Sequence, residues 1–141
     1  MKKSEQAGKT NAGPLDILIA EDSESNQVLL SLYFGNTDSN LVFAANGEEA
    51  VKRFKGGSFD LVLMDIFMPV MDGLAATAAI REFERDQGLA PTPIVAVSAN
   101  AFAEDRKRSL EVGCTDFLAK PIRKGPLLDF IARIVEEKIK P

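Results

Sequence analysis

The feature that most constrains this chain is an alternation repeated five times between residues 16 and 138: a short apolar run, then an amphipathic or alanine-rich segment. Residues 16–20, 41–44, 61–64, 94–97 and 117–119 are the apolar runs, and each has the length of a strand rather than a helix. Helical spacing marks the segments that follow them. Residues 25–33 carry Val28, Leu29, Leu32 and Tyr33, residues 48–54 carry Ala50, Val51 and Phe54, and residues 72–87 are rich in alanine. Residues 103–112, stopped by Gly113, and residues 124–138, with Leu127, Leu128, Ile131, Ile134 and Val135 on one side, complete the series. Such strict alternation predicts an α/β fold with a parallel sheet covered by helices on both faces, because parallel neighbours need crossovers and these are nearly always right-handed. A length of 141 residues suits one such domain, residues 15–141, behind a polar flexible tail at residues 1–14.

Composition narrows the chemistry. There is no histidine and a single cysteine, Cys114, so Ser-His-Asp and Cys-His catalysis and an internal disulfide are excluded. A net charge of -4 supplies no basic stripe for a nucleic-acid backbone, so direct nucleic-acid binding is not expected. No apolar run reaches the roughly 18 residues of a membrane span, and no signal-peptide core follows the N-terminal lysines. The expected location is the cytoplasm. Cys114, beside Gly113 in a turn, reads as a bland small residue rather than a redox sensor.

In open parallel sheets ligands bind beyond the carboxyl ends of the strands, so the residues ending each run carry the most information. The first run ends in Glu21-Asp22, the third in Asp65, the fourth in Ser98 and the fifth in Lys120-Pro121. Each has a plain explanation by itself: an acidic pair at a helix start, a turn serine, a solvated lysine. Their joint placement at strand ends favours a site. Three converging carboxylates repel one another and resist desolvation, an arrangement that makes sense around a hard cation, with magnesium the natural choice.

The segments ILIAEDSESNQ, LVLMDIFMPVMDG, IVAVSANA and DFLAKPI, in this order, resemble the receiver domains of two-component response regulators, and most of all those associated with hybrid histidine kinases. The resemblance spans residues 16–139. It implies a three-layer flavodoxin-like (βα)5 fold with strand order 2-1-3-4-5. It also implies that Asp65 accepts a phosphoryl group from a phosphohistidine on a sensor histidine kinase or histidine phosphotransfer protein, forming an acyl phosphate. Magnesium would be held by Asp22, Asp65 and the backbone carbonyl of Phe67, with Glu21 acting through a coordinated water. Lys120 would pair with Asp65 and then with the phosphate, and the Lys120-Pro121 bond would be cis. Ser98 and Phe117 would form the switch that remodels the face built by the fourth helix, last strand and last helix. For Phe117 a plain packing role is nearly as good an expectation. The resemblance further implies a signalling module rather than a metabolic enzyme, a monomer or weak dimer, with no separate output domain in these 141 residues.

Phe67 is the position at which the chain is expected to differ from its relatives in behaviour: a bulky ring two residues after Asp65 would shield the acyl phosphate from water and slow its loss. Met68, Met71 and the stripe Val28, Leu29 and Leu32 admit a docking role toward a four-helix phosphotransfer partner, but for the stripe burial against the sheet is the better expectation. Three rivals are weaker. A dehalogenase-like phosphatase that forms an aspartyl phosphate places a second acid where Phe67 stands. A flavin-binding protein needs a Ser/Thr/Gly-rich loop where EDSESN stands. A degenerate receiver acting as a constitutive interaction module would not need the complete set of acids with Ser98 and Lys120.

Overall fold

A computed structural model describes residues 14–99 and 103–139. The expected tail, apart from Pro14, and Asn100 and Ala101 of the IVAVSANA segment, with Phe102 after it, lie outside the described residues, as does the side chain of Val135. The elements run β1 (Leu15–Ala20), α1 (Glu24–Tyr33), β2 (Ser39–Ala44), α2 (Gly47–Lys55), β3 (Leu61–Asp65), α3 (Gly73–Gln87), β4 (Ile94–Ser98), α4 (Ala103–Glu111), β5 (Asp116–Ala119) and α5 (Lys124–Ile139). All strand pairings are parallel, in the order β2-β1-β3-β4-β5. This is the flavodoxin-like order, with the reversal falling between β1 and β3.

The central strands explain themselves. β3 and β4 are buried along their whole length, including Asp65 and Ser98, which lie one residue beyond the apolar runs but still within the strands. Strands covered on both faces need apolar side chains in both directions, and LVLM and IVAV supply them. Short polar caps turn the chain from strand to helix. Ser23, Asn46 and Asp72 each accept a hydrogen bond from a backbone N–H in the first turn of α1, α2 and α3 respectively.

Two apolar clusters fill the layers. On one face Leu30 and Phe34 join Leu127, Phe130, Ile131 and Ile134 of α5 against Ile17, Ile19, Leu61, Leu63 and Val95. On the other, Ala50 and Phe54 of α2 and Leu74, Ala76 and Ile80 of α3 pack on Leu18, Val62, Met64 and Ala96. Cys114 is buried in the second cluster, where burial pushes its thiol pKa up, the state of an unreactive side chain.

One sequence-based expectation is overturned. Val28, Leu29 and Leu32 are 60%, 40% and 68% exposed, and the residues that anchor α1 to the sheet are Leu30 and Phe34. The pair at i and i+4 sets the buried face, and the stripe lies on the flank away from it. Met68 and Met71, by contrast, are partly buried against the α2–α3 cluster, which weakens a docking role for them.

Candidate functional site

The carboxyl edge of the sheet collects Glu21, Asp22 and Asp65, with carboxylate oxygens within 4.8 Å of one another. Glu21 and Asp65 are buried; Asp22 is exposed. Strand register makes this convergence: β1 and β3 are adjacent, with Ala20 opposite Met64, so the next residue of each strand emerges at the same level. Lys120 enters from the end of β5 and places its Nζ 2.8 Å from Asp65 Oδ2 and 3.1 Å from Glu21 Oε1. The second Glu21 oxygen accepts the Ser23 N–H at 3.1 Å, so both oxygens of that carboxylate are engaged.

Electrostatics at this edge are unbalanced. Burial is the largest influence on Asp65 and lifts its pKa above the ordinary aspartate value; the Lys120 hydrogen bond and charge oppose the rise, and the Glu21 charge adds to it. Burial also works against the Lys120 charge, but its hydrogen bonds and charge interactions with Asp65 and then Glu21 win, leaving its pKa raised. One ammonium thus serves two carboxylates, with a third close by. Oxygen-only donors, one of them open to solvent, and surplus negative charge fit a hard divalent cation.

The backbone around Asp65 is tightly set. Phe67 N–H donates to Asp65 Oδ1 at 3.2 Å, Ile66 N–H donates to Val97 O and Gly73 N–H donates to Ile66 O. A Cβ on Gly73 would lie 2.1 Å from Asp65 O, so only glycine lets α3 start this close to the strand end. The DG pair in the sequence marked the helix start but not this close approach. Gln27 was also missed: its Nε2 donates to Glu21 O at 2.7 Å, tying α1 to the acidic loop.

The remaining sequence-derived residues divide. Ser98 is fully buried at the end of β4, and its carbonyl accepts the Lys120 N–H at 2.8 Å, so it belongs to the same edge. The Lys120-Pro121 bond is cis. The Phe67 ring is largely exposed. Phe117 lies away from the acids, buried in the α2–α3 cluster with the Arg106 guanidinium 5.1 Å from its ring centre. The ring is packed here with a cation over its face, a placement that suits a packing role and a switch role alike.

Several known proteins are similar to this chain in sequence or in fold. Hybrid signal transduction histidine kinase B of Dictyostelium discoideum is 40% identical over 141 residues, covering 89% of this chain and 7% of that protein. This chain spans less than a fifth of the length of the curated relatives it matches. Among solved structures, the co-crystal of the Saccharomyces cerevisiae histidine phosphotransfer protein Ypd1 with the receiver domain of its downstream response regulator Ssk1 aligns with a TM-score of 0.86. There the identity is 32%, covering 91% of this chain and 93% of the other. The receiver domain of the sensor histidine kinase PA1611 of Pseudomonas aeruginosa, solved with magnesium coordinated in its active-site cleft, aligns with a TM-score of 0.78 at 32% identity, covering 88% of this chain and 99% of the other. The family model of the response regulator receiver domain matches residues 17–132, and this chain belongs to that family.

Proposed function

We propose that residues 15–141 act as a phosphoacceptor unit that takes a phosphoryl group from a partner phosphohistidine onto Asp65. The observation that carries this reading is the Asp65 carboxylate held 2.8 Å from Lys120 Nζ in a cluster of three converging acids. In the transfer an Asp65 oxygen forms the new bond to phosphorus, the bond from phosphorus to the histidine nitrogen breaks, and the electron pair stays on that nitrogen. An acyl phosphate results. The loose transition state carries charge on the phosphoryl oxygens, so catalysis is mostly alignment and neutralisation. Lys120, already on Asp65, supplies one positive charge as a point donor. Magnesium, when bound, supplies the rest of the neutralisation; Asp22, Asp65 and the Phe67 carbonyl would hold it, with Glu21 reached through water.

The partner is a histidine kinase or a histidine phosphotransfer protein, as in the yeast complex of Ypd1 with the Ssk1 receiver. The exposed Val28, Leu29 and Leu32 offer it an apolar surface on α1, beside a cleft lined by Leu29, Leu30, Glu21 and Lys120. Ser98 and Phe117 are the switch: the Ser98 hydroxyl turns toward the new phosphate, and Phe117 and its Arg106 cover on α4 respond.

The direct test is incubation with acetyl phosphate and magnesium chloride, followed by intact mass measurement. The native chain is expected to gain one phosphoryl increment and Asp65→Ala none; equal labelling of both, or of neither, overturns the reading. Phe67 extends the proposal. Its ring shields the acyl phosphate from water, so Phe67→Asn is expected to shorten the phosphoryl lifetime several-fold, read by the decay of the mass adduct after donor removal. An unchanged or longer lifetime would remove Phe67 from the site.

A further inference from the structure

Tyr33 is the only tyrosine of the chain and the last residue of α1. Its hydroxyl donates to the backbone carbonyl of Ile122 at 3.1 Å, across a sequence separation of 89 residues. Ile122 follows Lys120 by two positions. We propose that Tyr33 is a positioning residue for Lys120: its hydroxyl ties the segment after β5 to α1 and so holds the ammonium on Asp65 and Glu21. This inference rests on the phosphoacceptor reading above and names the element that sets its lysine.

Three observations carry it. First, the segment is fixed on its strand side by the Lys120 N–H on Ser98 O at 2.8 Å, but the next residue, Pro121, has no N–H to give. A lysine side chain is long and its ammonium is a point charge on a flexible stem, so its placement depends on both flanks of its backbone. Second, the Ile122 carbonyl is left for a donor from elsewhere in the fold. The residue four positions on is Pro126, which has no N–H, and the first turn of α5 is closed instead by Leu127 N–H on Arg123 O at 3.1 Å. Tyr33 supplies the missing donor. Third, the two elements joined by this bond form the walls of a cleft of about 50 Å³ lined by Leu29, Leu30, Pro121 and Ile122, and both Glu21 and Lys120 line it too. The Ile122 side chain packs in the same cluster as Tyr33, Leu30 and Phe34, so the hydrogen bond directs a contact that apolar packing alone leaves free to slide.

The same tie connects α1, which carries the exposed Val28, Leu29 and Leu32, to the catalytic lysine. A partner seated on α1 that shifts Tyr33 thereby shifts the segment holding Lys120.

The test compares the full native chain with Tyr33→Phe, which removes only the hydroxyl. With acetyl phosphate varied at fixed magnesium chloride, Tyr33→Phe is expected to lower the maximal phosphorylation rate about 2- to 10-fold, the range of one hydrogen bond, with the half-saturating donor concentration unchanged. A second readout does not depend on phosphorylation: the Lys120 ammonium signal in nitrogen-15 NMR, assigned by its loss in Lys120→Arg, is expected to exchange faster with water in Tyr33→Phe. A purely structural hydroxyl would lower Tm and leave both the rate of the folded protein and the Lys120 signal as they were, and that result overturns the proposal. If the native chain takes up no phosphoryl group at all, the phosphoacceptor reading fails by itself, and the Lys120 signal alone decides for or against the tie.

Discussion

Two ion pairs, each with a buried carboxylate, sit at opposite edges of the sheet and share one distance. Lys120 Nζ lies 2.8 Å from Asp65 at the carboxyl edge, and Arg81 Nη1 lies 2.8 Å from Glu84 on α3, near the start of β4. Asp65 and Glu84 are 4% and 3% exposed, so burial does not distinguish them. Their partners do. Glu84 has one oxygen on Arg81 and the other on the Thr92 N–H at 2.8 Å, while Arg81 also donates to Gly113 O at 2.9 Å. Arg81 and Glu84 each have a further partner besides each other, and the pair ties α3 to the turn before β5 and to the loop before β4. At the carboxyl edge one ammonium is divided between two carboxylates. A satisfied network stabilises a fold; a carboxylate with too few counter-charges is kept ready for something that arrives.

The largest effect is expected from breaking the satisfied pair. Glu84→Ala leaves the partly buried Arg81 guanidinium with only its Gly113 and Thr115 partners and the Thr92 N–H with none from Glu84, and removing the buried member of such a pair costs about 3 kcal/mol, or on the order of 10 °C in Tm for a domain of this size. Thermal unfolding of the variant measures it. Phosphoryl uptake of the folded fraction should be untouched, because the pair lies at the other end of the sheet from Asp65. A loss under 1 kcal/mol, roughly the worth of a surface pair, would place Arg81 and Glu84 in water instead.

The sequence revealed the functional edge far better than the stabilising one, for a physical reason. Asp65, Ser98 and Lys120 each follow an uninterrupted apolar run, and in a parallel sheet the end of such a run is a place in space as well as in sequence. Arg81 and Glu84 stand three residues apart on a helix, where a charged pair normally reads as solvated. The signal was present nonetheless: Ala76, Ile80 and Glu84 recur every four residues on the face of α3 that turns out to be buried. The α1 stripe failed in the opposite direction. Val28, Leu29 and Leu32 have helical spacing, but so do Leu30 and Phe34, and spacing alone does not say which of two apolar flanks meets the sheet. The tie from Tyr33 to Ile122 was illegible because it joins a side chain to a backbone carbonyl 89 residues away.

A middle-sized effect of opposite sign is expected at the functional edge. Burial raises the Asp65 pKa above its ordinary 3.8, so the folded chain holds the Asp65 proton more tightly than the unfolded chain does. Asp65 therefore weakens the fold at neutral pH, and the penalty fades as pH falls through the raised folded value toward 3.8. Asp65→Asn should raise Tm by a few degrees at pH 7, with the gain shrinking on acidification. Lys120 acts in the alkaline range: its raised pKa gives stability that is complete below its ordinary 10.5 and is lost as pH climbs through the folded value. Unfolding scans across pH for both proteins test the sign directly. A lower Tm for Asp65→Asn at pH 7 would mean that Lys120 satisfies Asp65 as fully as Arg81 satisfies Glu84.

The smallest effect sharpens the same contrast through the backbone. Three described residues have positive φ: Gly88 at 68° and Gly113 at 114°, both in the turns that the Arg81–Glu84 pair braces, and Val70 at 69° in the loop leaving Asp65. The stabilising edge uses glycine where the left-handed region is needed, whereas the functional edge holds a β-branched residue there, at a strain cost of about 1–3 kcal/mol. Val70 is mostly exposed, so its side chain gives little packing in return. Val70→Gly removes the strain but adds freedom to the unfolded chain worth about 0.5–1 kcal/mol, which leaves a net gain of about 1 kcal/mol. Gly88 provides the reciprocal measurement. Its φ matches that of Val70, and a Cβ there meets nothing within 4 Å, so Gly88→Val installs the strain without a clash. It should lower stability by about as much as Val70→Gly raises it, and the double variant should return close to the native Tm. If Val70→Gly leaves Tm unchanged while Gly88→Val lowers it, the loop after Asp65 carries no strain, and the difference between the two edges is one of charge alone.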